Sequence, residues 1–432
     1  MGWNRRLVLA GAVAAASGAA LGQPQQQVTG PVAVYWMTTA TTTGFSMGGM
    51  MGQPAGGGGR GGIPNIAAMM GGGGPSHSLI LQLGSTQRPT GAPSAQHLPP
   101  PVIKSGGSLP LVTPQAAPSQ PVEPPSRDSV PQQYQQPRGR ILIFWGCGER
   151  APQGQPVILD FATLTDPAQI QRLGNLLQGI NAAPMQPPSP SRFATYGEWP
   201  NGQPPLSIPG DSSLVGSHIV RGTYSPQINF ALTADQDFME PLNLISNDRN
   251  PGGWVQLAWN SVPRTLGYFA SVMGGSGGAG GQSSDVVLWT SSKVQAAAFT
   301  APDYMTPAET NRLVASGALM SPQTTTCNVY REVVQATQGG LLSLNAYGGE
   351  TNISFPPRPE NPATPWNIQW TLKVRYKSTT GGLLGQPMPG GLGGGIPGRG
   401  GQEPPQQTPP AGRGPGGLLR GLGGGIPGFP GR

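Results

Sequence analysis

Histidine and cysteine are nearly missing from this chain of 432 residues, which has three of the first and two of the second. A zinc site takes three or four such ligands, and a nucleophilic triad takes a histidine beside its nucleophile. Of His77, His97 and His218, only His218 falls in the region that reads as folded. Its setting, HIVRGTY, is that of an ordinary strand, so neither chemistry has its parts. Charge is also scarce: Asp, Glu, Lys and Arg make up 10% of residues, well under the usual quarter. The formal charge is +7, but no basic groove accounts for it. Between Arg140 and Lys377 there are 14 basic and 15 acidic side chains. The excess sits in Arg5 and Arg6, in the Pro-rich stretch, and in the tail, where Arg399, Arg413, Arg420 and Arg432 stand against Glu403. Scattered arginines of that kind give weak attraction to anionic surfaces, so nucleic acid is not an expected partner.

Glycine and proline are what the chain has most of, with 69 and 51 residues, together 120 of the 432. That share belongs to low-complexity sequence and leaves about half to two-thirds of the length for packed cores. Met1 to Gly22 reads as a signal peptide: Arg5 and Arg6, an uncharged Ala/Gly/Leu/Val run, then small residues before Gln23. The run is too short and too rich in Gly and Ala for a membrane helix, and the mature chain offers no other transmembrane span. The paired arginines fit a general secretory leader or a twin-arginine one. The expected location is therefore periplasmic, surface-associated or extracellular. There Cys147 and Cys327 are free to pair, closing a loop of about 180 residues; two separate buried thiols are the alternative.

Arg140 to Glu149, RILIFWGCGE, marks the start of continuous folded sequence, with a β-branched and aromatic run typical of a buried strand. Before it, residues 23–139 offer strand segments at Val32 to Thr41 and Leu79 to Leu83, separated by a Gly/Met-rich tract (Met47, Met50, Met51, Met69, Met70) and a Pro-rich one. Residues 140–190 add a strand at Gln155 to Phe161. A helix opened by Asp166 and Pro167 follows, with Ile170, Leu173, Leu177 and Ile180 on one face. Residues 191–300 carry six short strands: Phe193 to Trp199, His218 to Tyr224, Ile228 to Leu232, Trp254 to Trp259, Tyr268 to Met273 and Val286 to Trp289. Gly274 to Gly281 reads as a hairpin loop. Residues 301–378 open with a capping box, Thr306-Pro307-Ala308-Glu309, and close with strands at Thr324 to Val334, Leu341 to Tyr347, Thr351 to Phe355 and Trp366 to Lys377. In the last of these Trp366, Ile368, Trp370, Leu372, Val374 and Tyr376 alternate with a wet, basic face. Residues 379–432 form a Gly/Pro-rich tail in which GLGGGIPG occurs twice, a composition that builds no core and reads as disordered. The expected fold is mainly β, an antiparallel β-sandwich of one or two modules with two short helices and long disordered low-complexity segments.

Candidate sites are few. Gly146, Gly148 and Ala151 spell GxGxxA after a strand, but Pro152, Gly154 and Pro156 prevent the helix whose N-terminus would hold a pyrophosphate, so a strand-end turn is expected. Gly274 to Gly278 spells GxSxG without the helix of a hydrolase elbow. Asp235, Asp237 and Glu240 form the densest acidic group, and oxygen ligands of that kind suit calcium, although no calcium-loop spacing is present. Trp199, Trp254 and Trp289 are the aromatic residues from which an exposed sugar-stacking surface would be built. Leu257 to Val272, LAWNSVPRTLGYFASV, resembles the strand signature of fibronectin type III and immunoglobulin-like modules, with Trp259, Gly267 and Tyr268 at the matching positions. The resemblance implies a sandwich and brings no catalytic residue with it.

No catalytic residue, resident metal or cofactor is expected. The chain reads as an exported, non-catalytic envelope or surface interaction protein whose partner is an envelope protein or a polysaccharide. A carbohydrate-binding module using exposed aromatics is the alternative, and a secreted hydrolase the third reading.

Overall fold

The structure, a computed structural model, describes residues 26–44, 74–89, 91–114, 139–160, 182–201, 208–277, 284–295, 301–337 and 339–386, with single positions at 167, 171 and 174. The leader, the methionine tract, the apolar positions Ile170, Leu173, Leu177 and Ile180, Gly278 to Gly281 and the repeats of the tail lie outside the described residues. Pro167, Gln171 and Gly174 are helical.

Ten strands form one sheet. Its order is β7 (Val157–Asp160), β6 (Arg140–Trp145), β15 (Ser284–Thr290), β14 (Thr265–Gly277), β17 (Leu341–Phe355), β19 (Trp370–Leu383), β2 (Ala33–Gly44), β3 (Ser76–Ser85) and β8 (Thr195–Trp199), with β9 (Ile208–Pro209) on the start of β3. A second sheet runs β11 (Ile228–Leu232), β10 (Gly216–Gly222), β4 (Ala95–Leu98), β5 (Leu109–Leu111). A third runs β12 (Leu244–Arg249), β13 (Val255–Trp259), β16 (Thr326–Val329). β1 (Val28–Thr29) pairs with β18 (Trp366–Asn367). Two helices, α1 (Pro307–Ala315) and α2 (Arg331–Ala336), complete the described elements of length.

The chain is mainly β, as its short apolar runs and turn signals predict. The pairing is mixed rather than antiparallel throughout. β19 lies parallel to β2 over twelve pairs, from Trp370 opposite Ala33 to Gly381 opposite Gly44, and β15 lies parallel to β6. Parallel neighbours need a long connection, and β2 and β19 stand at opposite ends of the described chain. β2 therefore lies inside the sheet, while β3 and the strand of Arg140 to Glu149, which reads as its anchor, each stand one strand from an edge.

One face of the large sheet carries Tyr35, Met37, Leu81, Leu83, Leu344, Leu372 and Val374. They share a core with Val220, Ile228 and Phe230 of the second sheet and Val255, Leu257 and Val329 of the third. On the other face, Phe269 and Tyr347 pack with Leu313 of α1, while Ile143, Leu159 and Leu288 form a third cluster. The Thr324 to Val334 strand stops at Val329, and the chain turns into α2, burying Val333 and Val334. The two strands expected at Leu341 to Tyr347 and Thr351 to Phe355 are one, β17, with its register shifting between Tyr347 and Glu350. Gly274 to Gly277 belong to β14 and pair with β15 instead of forming a loop. At α1 only half of the capping box is made. Thr306 Oγ1 accepts from Glu309 N at 3.2 Å, but the Glu309 carboxylate takes Arg312 and the Ala183 N–H instead.

Strand direction brings several joints to one end of the large sheet. The C-terminal ends of β2, β14 and β19 point the same way, with the N-terminal ends of β3, β15 and β6 beside them. The Gly/Met-rich tract between β2 and β3, the Pro-rich stretch entering β6 and the Gly/Pro-rich tail after β19 are joined to the sheet there. β19 continues five residues past the expected boundary at 378, and Asn247 fixes the chain beyond it. Asn247 Nδ2 donates to the Leu383 and Gln386 carbonyls at 2.8 and 2.9 Å, and its Oδ1 accepts from Gly385 N at 3.0 Å.

Candidate functional site

The acidic group chosen from sequence is organised by a cation already in the chain. Arg264, in the left-handed region at φ 65°, leads into β14 and reaches back under the loop that follows β11. Its Nη1 donates to the Asp235 and Asp237 carbonyls at 2.8 and 2.9 Å, and its Nη2 to the Phe238 carbonyl at 2.6 Å. Glu240 stands 3.7 Å away. A planar guanidinium thus fills the place that calcium would take, satisfying carbonyls that are otherwise left without a donor. The carboxylates face elsewhere. Asp235 accepts from the Thr233 hydroxyl, which with its own backbone N–H holds it below the usual carboxylate range. Asp237 accepts from Ser213 Oγ at 2.6 Å, Leu214 N at 2.7 Å and Phe238 N at 2.8 Å. Among the described residues no three acidic, histidine or cysteine side chains converge as a metal-ligand group, and the contacts of Asp235 and Asp237 are within their own loop and its neighbours.

All three histidines are buried, which corrects the view that only His218 is in the fold. β4, which carries His97, lies in proline-punctuated sequence and gives no strand signal, yet it pairs with β10. This sets His97 beside His218, with Nε2 of the first 2.9 Å from Nδ1 of the second. His218 Nε2 lies 2.7 Å from the Leu214 carbonyl, and the Tyr35 hydroxyl meets His97 Nδ1. A carbonyl only accepts, so His218 donates from Nε2, and with both rings neutral, as their burial favours, the remaining directions follow. His97 donates from Nε2 to His218 Nδ1, and Tyr35 donates to His97 Nδ1. Phe230 stacks on His218 at 4.7 Å. Burial holds His97 well below the ordinary histidine value, helped by His218, and burial lowers His218 against the pull of its Leu214 bond. Burial raises Tyr35 well above the ordinary phenol value.

His77, on β3, stacks flat on Phe238 at 4.0 Å. It meets Thr41 Oγ1 through Nδ1 and the Gly210 carbonyl through Nε2, each at 3.1 Å. Burial lowers it below the ordinary histidine value, a shift that the Gly210 bond, Asp237 and Asp211 oppose without cancelling. Thr41 also donates to the Met239 carbonyl at 2.6 Å, Thr43 donates to the Leu242 carbonyl, and Leu242 N donates to Ser378 Oγ at 3.0 Å. The threonines of β2 thus dock residues 239–242 onto the sheet.

The opposite face of β19 is basic as its alternation predicts, but it is covered rather than wet. Arg375 lies 5.2 Å from the Trp36 ring and 4.5 Å from the Tyr304 ring, with Nε donating to Thr38 Oγ1 at 2.7 Å. Lys377, 8% exposed, lies 4.7 Å over Tyr304 and pairs with Asp303. Lys373 pairs with Glu350 at 2.6 Å. Aromatic rings cover the long side chains and stabilise their charge at the same time.

The proposed aromatic surface does not form. Trp199 is 7% exposed, Trp289 is fully buried with its Nε1 donating to the Gly146 carbonyl at 2.8 Å, and Trp254 is half-buried. Trp199 and Trp289 belong to the core, so among the described residues these three do not make an exposed row of rings. Trp259 and Tyr268, the pair behind the fibronectin resemblance, stand on β13 and β14 in different sheets. Their rings are 5.6 Å apart, and the Tyr268 hydroxyl accepts from Val262 N at 3.0 Å.

Gly146 and Gly148 form the strand-end turn. Gly146 has φ +99°, and a Cβ there would lie 2.4 Å from the Tyr330 hydroxyl. Cys147 and Cys327 are joined by a disulfide, with Cα atoms 5.3 Å apart, tying β6 of the large sheet to β16 of the third. Tyr330 donates to the Trp145 carbonyl at 2.9 Å, and Gly148 N donates to Asn328 O at 2.9 Å. A cleft of about 260 Å³ lies beside the Asn247 clamp, lined by Arg249, Val334, Thr337, Gly339 and the 384–386 segment. Among the described residues no helix is long and apolar enough to cross a membrane. Comparison with protein-family models, curated proteins and solved structures gave no match to the chain.

Proposed function

We propose that the protein is exported and works by association, as a non-catalytic envelope or surface interaction protein. The observation that carries this reading is the gathering of low-complexity joints at one end of the ten-stranded sheet, with the tail leaving through the Asn247 clamp. A rigid sheet with its low-complexity sequence attached at one end suits a platform that holds such segments towards a partner. The partner is an envelope protein or polysaccharide reached through those segments. A flat row of tryptophans plays no part in it, because Trp199 and Trp289 are buried.

The test is recovery of partners from the native envelope by the full chain and by a chain ending at Gln386, which keeps β19 and its clamp intact. Loss of partners with the shorter chain supports the tail as the tether. Equal recovery from both sinks that role. A chain ending at Ser378 serves as the control for damage to the fold, because it removes the buried Thr379 and Thr380.

A further inference from the structure

The two histidine chains give opposite proton counts. From Tyr35 through His97 and His218 to the Leu214 carbonyl there are three contacts. With both rings neutral there are three hydrogens to fill them, one from the hydroxyl and one from each ring. A further proton makes four hydrogens for three contacts, so either two donors face each other or the Tyr35 hydroxyl hydrogen is turned out of the chain. The His77 chain also has three contacts: Gly210 O to Nε2 at 3.1 Å, Nδ1 to Thr41 Oγ1 at 3.1 Å, and Thr41 Oγ1 to Met239 O at 2.6 Å. Both of its ends are carbonyls. A neutral ring and one hydroxyl supply two hydrogens for three contacts. The 2.6 Å approach of hydroxyl to carbonyl requires the threonine hydrogen between them, and the Gly210 contact requires a hydrogen on Nε2. The missing hydrogen is the one on Nδ1, and supplying it makes the ring a cation.

We infer that His77 is a buried proton-binding site whose imidazolium donates to Gly210 and Thr41 together and so clamps the Gly210 and Met239 segments against β2 and β3. The ring lies flat against Phe238, whose π face favours a cation. Two carboxylates act on it. Asp211 is itself paired with Lys104, and Asp237 is held by Ser213, Leu214 and Phe238. Beyond Asp237 the 233–242 loop carries Asp235, bonded to Thr233, and Glu240, beside Arg264. Neither β2 nor β9 contributes a carboxylate or a cation. Desolvation is the largest influence on the ring and, set against the Gly210 bond, Asp237 and Asp211, leaves it below the ordinary histidine value; the inference requires the further bond to Thr41, which only the doubly protonated ring makes, to reverse that balance. The same core therefore holds a proton at His77 and excludes one from His97 and His218. A group whose folded-state affinity for a proton is raised contributes stability that is complete below its unfolded value of ~6.5 and is lost as pH rises through the folded one. Acid acts on the His97–His218 pair and alkali on His77.

The test is a long-range proton–nitrogen correlation spectrum of the full chain, labelled with ¹⁵N-histidine, from pH 5 to 9. At pH 7 one ring is expected with both nitrogens protonated, absent from the spectrum of His77→Gln, alongside two neutral rings protonated at Nε2. Three neutral rings at pH 7 overturn the inference. Thr41→Val keeps the ring and removes the acceptor of its Nδ1 hydrogen, and it is expected to weaken proton binding at His77 at least tenfold. An unchanged titration in that variant overturns it as well.

Discussion

Lowering the pH from 7 to 5 should destabilise the protein through two side chains alone. His97 and His218 are neutral in the fold and held below the ordinary histidine value, chiefly by burial. Below the unfolded value of ~6.5 the unfolded chain takes up protons that the folded chain refuses, so stability rises with pH across this range. Each ring that stays neutral removes at most ~1.4 kcal/mol per pH unit, and the pair at most ~2.8 kcal/mol per unit, which integrates to ~3.3 kcal/mol between pH 6.5 and 5. That is a large part of the ~5–15 kcal/mol that a folded domain commonly has. Carboxylates stay out of this window. Unfolded Asp and Glu titrate near ~4, and Glu309, held chiefly by the Arg312 guanidinium, is drawn down to about 2. Urea unfolding at pH 7, 6 and 5 measures the slope. His218→Gln is the decisive variant, because its amide NH₂ can still donate to Leu214 O and its amide oxygen can still accept from His97, while one titrating ring is gone. Its slope should halve, to at most ~1.4 kcal/mol per pH unit. A stability that stays flat between pH 7 and 5, or a slope unchanged in His218→Gln, refutes the neutral pair. A slope of three protons instead of two assigns the third to His77 and contradicts its imidazolium.

Arg264→Met keeps a long side chain and the same left-handed backbone, so its stability loss reads the three guanidinium bonds to the 235–238 carbonyls. The expected cost is ~3 kcal/mol, measured by chemical denaturation, and a loss under ~1 kcal/mol means that water replaces the guanidinium there. The unreduced protein should give no free thiols on titration, and reduction should lower its free energy of unfolding by up to ~5 kcal/mol for a bridge spanning 180 residues; two free thiols without reductant contradict the bridge.

Strand content was legible in the sequence because alternation and β-branched runs are local signals, although the strand expected over Trp366 to Lys377 breaks after Asn367 into β18 and β19, and its basic face is covered as well. The place of β2 inside the sheet was not legible. Low-complexity sequence follows it, and what places it there is pairing with β19, more than 300 residues away. β4 was missed outright, since Ala95–Leu98 owes its strand to β10 and β5. The candidate site suffered more than the fold. Asp235, Asp237 and Glu240 look like ligands when counted together, but nothing local signals that Arg264 serves the same loop. Trp199 and Trp289 carry no mark of burial in their own neighbourhoods.

The sequence by itself determined that the chain is mainly β, poor in charge and in metal-binding side chains, and interrupted by Gly-, Met- and Pro-rich tracts. Composition and period two are enough for that, because each depends only on near neighbours. Only the tertiary structure decided which cation organises the acidic loop, which strands are central and where the histidines sit. Those outcomes are contacts between residues such as Tyr35 and His97, or Arg264 and Phe238, that pairing across sheets brings together. The three histidines that made the chain look poor in chemistry are its most constrained polar groups, since in a dry core each ring nitrogen has to find a partner of the right kind.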